Sequence, residues 1–331
     1  EHLGIPYYVT DLSKEYKERI VDYMFDEYAR GRTPNPDILC NREIKFDVFL
    51  KEAMKLKADF VATGHYCRKT TDDNGRHHLL AGKDPSKDQS YFLCQLNQDQ
   101  LAKSLFPIGD YLKSEVRDIA RKIGLPTADK KDSQGLCFIG KVSLPVFLQQ
   151  QLEPREGDII EINPDLEKIS AYHSIPVAAD HVEELARPFS FDRTEGIKVG
   201  EHRGAHFYTV GQRKGLHIGG RPSPSFVLQV DTDENVIFSG QSGDHPGLNR
   251  YALKIHPDEV HYVNPDFTLE EGESYDMLVR IRYRQPLQPA TVMRKENGIY
   301  ILFRELQTGI TPGQFAAWYK GEELVGSGVI A

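Results

Sequence analysis

The spacing of apolar positions changes once along this chain, near residue 153, and the change separates an α/β part from a β part. Up to about residue 150, short apolar runs alternate with helical patterns, as a parallel sheet with crossover helices requires. Tyr7 to Val9 reads as a strand. Ser13 reads as the cap of a helix with the stripe Tyr16, Ile20, Tyr23, Met24 and Tyr28, stopped by Gly31. A second helix is predicted from about Arg42 to Lys57, and Asp59-Phe60-Val61-Ala62-Thr63 forms the next strand, ending at Gly64-His65. Asp73-Asn74-Gly75 is a hairpin turn, and helical segments follow near Ser90 to Leu96 and Ser114 to Ile123.

From Pro154 onward, short alternating strands are separated by Gly, Pro and Asn/Asp turns, which predicts two small barrels or sandwiches. Ser-Gly-Asp-His-Pro-Gly interrupts the pattern within Gln241 to Leu248. The expected division is therefore 1–152, 153–246 and 247–331, in line with roughly 100–200 residues per domain. About Asp165 to Thr194 fits neither period and reads as an acidic insertion with one set of helical turns.

There is no run of about 18 apolar residues and no basic region ahead of an apolar stretch with a cleavage site, so no membrane partner is expected and the chain reads as cytosolic. Four cysteines, at 40, 67, 94 and 137, show neither C-x-x-C pairs nor zinc spacing, which argues against a disulfide scaffold or a structural metal. The net charge of −8 is unevenly spread. Glu153 to Glu195 carries −7, whereas Lys198 to Arg221 and Asp276 to Arg304 each carry +4. Charge acts over about a Debye length, so these two basic segments suit an RNA docking on chosen faces.

Two cysteines sit in settings that suggest sulfur chemistry. Cys40 ends the stiff loop Gly31-Arg32-Thr33-Pro34-Asn35-Pro36-Asp37-Ile38-Leu39-Cys40-Asn41, just before or within the first turn of the Arg42 helix. Arg32, Arg42 and Lys45 are near it in sequence, and both helix N-termini and cations lower a thiol pKa. Asp37 is placed to act on a substrate proton, while Pro34 and Pro36 restrict the backbone around Asn35. The plainer alternative is a packing cysteine with Asp37 capping the helix. Cys137 follows Lys130 and Lys131 and lies between Gly135 and Gly140, so a moving, exposed thiol and a small apolar residue beside Leu136, Phe138 and Ile139 both remain open. Cys67 and Cys94 read as packing residues.

In Tyr275 to Arg284, alternation puts Met277, Val279, Ile281 and Tyr283 on one face and Arg280, Arg282 and Arg284 on the other. Such an arginine ladder can follow a phosphate backbone or simply be a solvated outer face. Gly211 to Gly220 combines cations with four glycines, which lets side chains and backbone N–H groups meet an anion. Its setting is all-β, so it is not a dinucleotide-binding fingerprint. The twelve histidines form no metal array such as H-E-x-x-H.

Seven blocks, in order, carry a resemblance. They are Gly31 to Asn41, Ala62-Thr63-Gly64-His65-Tyr66, Lys87-Asp88-Gln89-Ser90-Tyr91-Phe92-Leu93, Gly135-Leu136-Cys137-Phe138-Ile139-Gly140, Thr209-Val210-Gly211-Gln212-Arg213-Lys214-Gly215-Leu216, Arg282-Tyr283-Arg284-Gln285 and Thr311-Pro312-Gly313-Gln314. Together they resemble the tRNA-specific 2-thiouridylases, the MnmA family, and cover nearly the whole chain.

The resemblance implies a tRNA-uridine 2-sulfurtransferase that replaces the C2 oxygen of the wobble uridine with sulfur. ATP, with Mg2+, would adenylate that oxygen. The cysteine matching Cys137 would carry a persulfide delivered by a sulfur-relay protein or cysteine desulfurase, and the one matching Cys40 would help release the sulfur, leaving a Cys40–Cys137 disulfide. By position, Asn35, Pro36 and Asp37 would contact the target base, with Asp37 a candidate acid/base residue, and Gly64 would approach ATP. His65, Lys87, Asp88, Gln89, Arg282, Tyr283 and Gln314 would touch tRNA; for Tyr283, which alternation turns inward, this requires a bulge or strand end. The implied fold is an adenine-nucleotide α-hydrolase-like, Rossmann-like parallel-sheet domain followed by two small β-barrel domains. The family's Ser-Gly-Gly-x-Asp-Ser phosphate loop does not occur in these 331 residues, which therefore are not expected to be a competent enzyme alone.

Two rivals are a different ATP pyrophosphatase acting on a small metabolite, and a thiol–disulfide redox or sulfur-carrier protein working without ATP. A methyltransferase using S-adenosylmethionine fits less well, because the α/β part has no glycine-rich strand-to-helix loop.

Overall fold

The computed structural model describes residues 4–130, 137, 140 and 144–331. Helix α1 (residues 13–29) buries the predicted stripe of Tyr16, Ile20, Met24 and Tyr28 and ends at Gly31. Its cap differs from the expectation: Ser13 lies inside the helix, and its amide is bound by the Asp11 carboxylate at 2.9 Å. Helix α2 (residues 36–55) starts six residues earlier than predicted. Asn35 caps it by accepting the Ile38 amide at 3.3 Å, and Pro36 takes the first position, where its missing N–H costs nothing. Its middle, Cys40–Val48, is wound in wider turns whose bonds run from i to i−5.

Strand β1 (Val61–Ala62) leads to a hairpin of β2 (Cys67–Thr71) and β3 (His77–Ala81) about the expected turn. Strand β4 (Ser104–Leu105) pairs parallel with β1. Tyr7 to Val9 is not a strand. These residues are exposed and pair with no other strand among those described, and β propensity without a neighbour for the backbone groups does not make a sheet. No described helix is long and apolar enough to cross a membrane.

The β part holds two sheets. Strands β5 (Gly157–Ile162), β6 (Gly196–His202), β7 (Ser225–Asp231) and β8 (Val236–Gln241) form the first, in the order β6-β5-β8-β7. The second contains β9 (Asn249–Tyr262), β10 (Ser274–Arg280), β11 (Gln288–Lys295), β12 (Gly298–Thr308), β13 (Phe315–Lys320) and β14 (Glu323–Ile330). Its order β13-β10-β11-β12-β9-β14 closes through β13–β14 into a six-stranded barrel, which leaves no free edge there. The acidic segment between β5 and β6 folds as two short helices, Glu167–His173 and Val182–Leu185, rather than one set of turns. Tyr172, Val182 and Leu185 pack on Ala252, Met293 and Tyr300 of the barrel, so this segment is a brace.

The α/β part and the barrel share one core: Ile20, Met24, Cys40, Tyr91 and Leu93 cluster with Phe315, Tyr319 and Leu324. Strand β3 also extends the barrel sheet through Leu79↔Leu324 and Leu80↔Glu323. That junction breaks the arginine ladder. Arg280 is buried, ion-paired with Asp88 at 3.1 Å and stacked over the Tyr319 ring at 5.1 Å, so it is not a surface cation. The strand ends there, which puts Arg282 and Tyr283 in the following turn.

Candidate active site

The loop before α2 is held from both sides. The Thr33 amide donates to the Pro312 carbonyl at 2.8 Å, and Gln314 Nε2 donates to the carbonyls of Thr33 at 2.9 Å and Pro34 at 3.3 Å. Gly313, at φ +88°, lies so close that an added Cβ would meet Thr33 backbone atoms at 2.9–3.0 Å, which excludes a side chain there. Arg32 pairs with Glu27 at 2.7 Å and Glu259 at 3.0 Å, tying the loop to α1 and β9. These contacts fix Asn35, Pro36 and Asp37 at the start of α2 and so fix Cys40 one turn later.

Cys40 and Cys137, 97 positions apart in sequence, meet. Their Sγ atoms are 3.2 Å apart, and both are free thiols, the first buried and the second partly exposed. The Tyr16 hydroxyl donates to the Cys137 carbonyl at 2.6 Å, and the Cys137 amide donates to the Asp37 carboxylate. Lys131, Gly135, Leu136, Phe138 and Ile139, on which the expected mobility of this loop depended, lie outside the described residues.

The electrostatics reverse one expectation. The hydrogen bond donated by Cys40 to Cys137 is the largest influence on both thiols, lowering Cys137 to about 7 and raising Cys40 above its ordinary value. Burial pushes both up, and Lys45 pulls both down. Cys137 is thus the sulfur that ionises first; Cys40 keeps its proton because it is buried and an adjacent anion accepts that proton in a hydrogen bond. Burial also raises the Asp37 carboxyl, with Lys45 and the Cys137 amide opposing. Such a carboxyl is better matched to proton exchange near neutral pH than an ordinary one. Lys45, anchored to Asn41 Oδ1 at 2.9 Å and hydrogen-bonded to Cys137, is the cation common to all three groups. Lys45 is one of the three cations that the sequence places near Cys40, whereas Tyr16 reads there only as part of the α1 stripe. The signal for Lys45 is its five-residue offset from Cys40, which widened turns bring onto one face.

The other sequence candidates divide. Gln314 and Asn35 come together, at 3.4 Å between Oε1 and Nδ2. His65 is buried between Phe46 and Phe106, its Nδ1 2.8 Å from Thr63 Oγ1, and burial drops its pKa to about 3, so it is neutral. Asp88 binds Arg280 and the amides of Gly82 and Ser90, and Gln89 accepts the Tyr66 amide at 3.0 Å. Lys87 is half-buried beside them, its amide donating to the Asp84 carbonyl. Tyr283 packs on Phe92, the rings tilted by 39° with centroids 4.3 Å apart. Arg282 donates through Nη2 to the Thr308 carbonyl at 3.0 Å and to that of Gly309. Cys67 and Cys94 are buried, as expected of packing residues.

Gly64 leaves the carboxyl end of β1, where open α/β sheets take their ligands. A Cβ built on it would meet nothing nearer than Ile108 Cδ1 at 4.0 Å, so the backbone of this turn is open on that side. No glycine-rich phosphate loop of the Ser-Gly-Gly-x-Asp-Ser type is present in the sequence, and no cluster of three metal-ligating side chains occurs among the described residues.

Family models match residues 1–141 (tRNA methyl transferase HUP domain), 179–241 (tRNA methyl transferase PRC-barrel domain) and 253–330 (Aminomethyltransferase beta-barrel domain). A tRNA-specific 2-thiouridylase MnmA of Christiangramia forsetii is 56% identical over 338 residues, covering 100% of this chain and 85% of the relative. The chain belongs to the MnmA family. Members from Flavobacterium johnsoniae, at 55% identity with the same coverage, and Streptococcus pyogenes serotype M49, at 40% with 100% and 80% covered, carry the same description. The MnmA family uses ATP, and its HUP, PRC-barrel and β-barrel domains match the expected order of a parallel-sheet domain and two β domains. Membership does not favour the small-metabolite and redox-carrier readings.

Proposed function

We propose that this chain provides the sulfur-transfer site of a tRNA-uridine 2-sulfurtransferase acting on C2 of the wobble uridine. The observation that carries this reading is the 3.2 Å contact between Cys40 and Cys137 next to Asp37 and Lys45. A carrier protein or cysteine desulfurase transfers sulfane sulfur to the Cys137 thiolate, giving a persulfide. When bound, ATP would supply the adenylyl group that makes the C2 oxygen a leaving group.

The terminal sulfur of the Cys137 persulfide attacks C2, and the C2–O bond breaks, the oxygen and its electron pair leaving with AMP. Cys40, having lost its proton, then attacks Cys137 Sγ. The Cys40–Cys137 bond forms, the bond to the transferred sulfur breaks, and its electron pair stays on the sulfur now held by C2. The sulfane sulfur is reduced by two electrons, the two thiols are oxidised to a disulfide, and an external thiol reductant restores them. The Cys40 proton leaves through Asp37, whose raised pKa suits it to take that proton and pass it to solvent. Asn35 and Pro36 hold the base over this pair, and Gln314 keeps their loop in place.

The test is to replace Cys40 or Cys137 singly with serine in the full-length protein and measure nucleosides from cellular tRNA by mass spectrometry. Each replacement abolishes 2-thiouridine derivatives if the reading is right. Unchanged thiolation with either variant overturns it.

A further inference from the structure

Between Glu201 and Asp231 the chain has no acidic residue, although acids outnumber lysines and arginines by 49 to 41 overall. This stretch holds Arg203, Arg213, Lys214 and Arg221. Arg221 pairs with Glu161 at 3.2 Å, whereas the exposed side chains of Arg213 and Lys214 have no partner among the described residues. Leaving two adjacent cations unpaired in an acidic protein is expected where a polyanion neutralises them.

The position of this loop says which anion. Thr209 Oγ1 is 3.0 Å from Thr33 Oγ1, on the loop that presents Asn35 and Asp37, and the Val210 carbonyl accepts the Thr311 hydroxyl at 3.4 Å. Gly211 then packs against Arg282: a Cβ built on Gly211 would lie 3.7 Å from its Nη2, and one built on Gly309, opposite, 2.5 Å. Two glycines therefore admit the Arg282 guanidinium between the basic loop and the barrel. At no more than about 3.6 Å per residue, Lys214 starts within about 18 Å of Thr209.

We propose that Arg213 and Lys214, continued by Arg282, form a track for the tRNA sugar-phosphate backbone leading away from the thiol site. This rests on the tRNA reading above. Phosphate contacts position a nucleic acid without reading its sequence, so the track contributes affinity and register rather than choice of base.

The experiment measures binding of unmodified tRNA by the wild type and by the double variant Arg213→Glu/Lys214→Glu at several salt concentrations. Each lost phosphate contact lowers the slope of log affinity against log salt by about 1. The expected result is a loss of about tenfold or more in affinity near 0.1 M salt and a slope smaller by about 2. The neutral pair Arg213→Gln/Lys214→Gln gives the same slope change with a smaller affinity loss, and serves if the charge reversal perturbs folding. Unchanged affinity and slope in both pairs overturn the track, as does unchanged tRNA binding with weakened binding of an acidic sulfur-donor protein. Failure of the wild type itself to bind tRNA would instead overturn the broader reading.

Discussion

Cys40 Sγ donates a hydrogen bond to Cys137 Sγ across 3.2 Å, and this contact separates the two thiols into one that ionises readily and one that does not. Alkylation of Cys137 by iodoacetamide therefore rises with pH about a midpoint near 7, below the ordinary thiol value of 9.0, because the thiolate is the reacting form. Cys40→Ala removes the donor and moves that midpoint up. An unchanged midpoint in Cys40→Ala would show that the contact does not set the reactivity.

Lys45 lowers both thiols and the Asp37 carboxyl, so Lys45→Met should raise the Cys137 midpoint and slow sulfur transfer by about a hundredfold at pH 7, the usual scale for one electrostatic group. Raising the pH recovers part of the loss, since more Cys137 ionises. Lys45→Arg keeps the charge and recovers more. Single-turnover rates against pH for the three proteins give the comparison.

Gln314 holds the loop ahead of α2 through the Thr33 and Pro34 carbonyls. Gln314→Ala removes two donors and should destabilise the protein by about 1–2 kcal/mol. It should also slow diamide-driven crosslinking of Cys40 to Cys137 in the absence of RNA, which loss of an RNA contact alone would not do.

Arg280 supports the fold. Arg280→Met strands the buried Asp88 carboxylate and should cost about 3 kcal/mol in urea unfolding, while leaving the salt slope of tRNA binding unchanged. A fall in that slope would return Arg280 to the RNA surface.

Much of this was legible in sequence because the signals were local. The stripe of α1, the Asp73-Asn74-Gly75 hairpin and the change of period near residue 153 depend on neighbours a few residues away. The misses came from contacts distant in sequence. Alternation placed Met277 and Val279 inward correctly, but nothing in the strand shows that Asp88 and Tyr319 wait on the other side for Arg280. The start of α2 was within reach: Asn35-Pro36-Asp37 is a cap followed by a helix-starting proline, and it reads as a loop only if its prolines are taken as breakers. The approach of Cys137 to Cys40 was implied by family resemblance and not by any local pattern.

The most direct test of sulfur transfer through this pair is a non-reducing peptide map of the full-length protein after a single turnover with tRNA, ATP and a persulfide donor. The account predicts one Cys40–Cys137 disulfide for each 2-thiouridine formed, and neither product with Cys40→Ser. Thiolation proceeding at the normal rate with both cysteines still reduced, in the absence of any reductant, would contradict it.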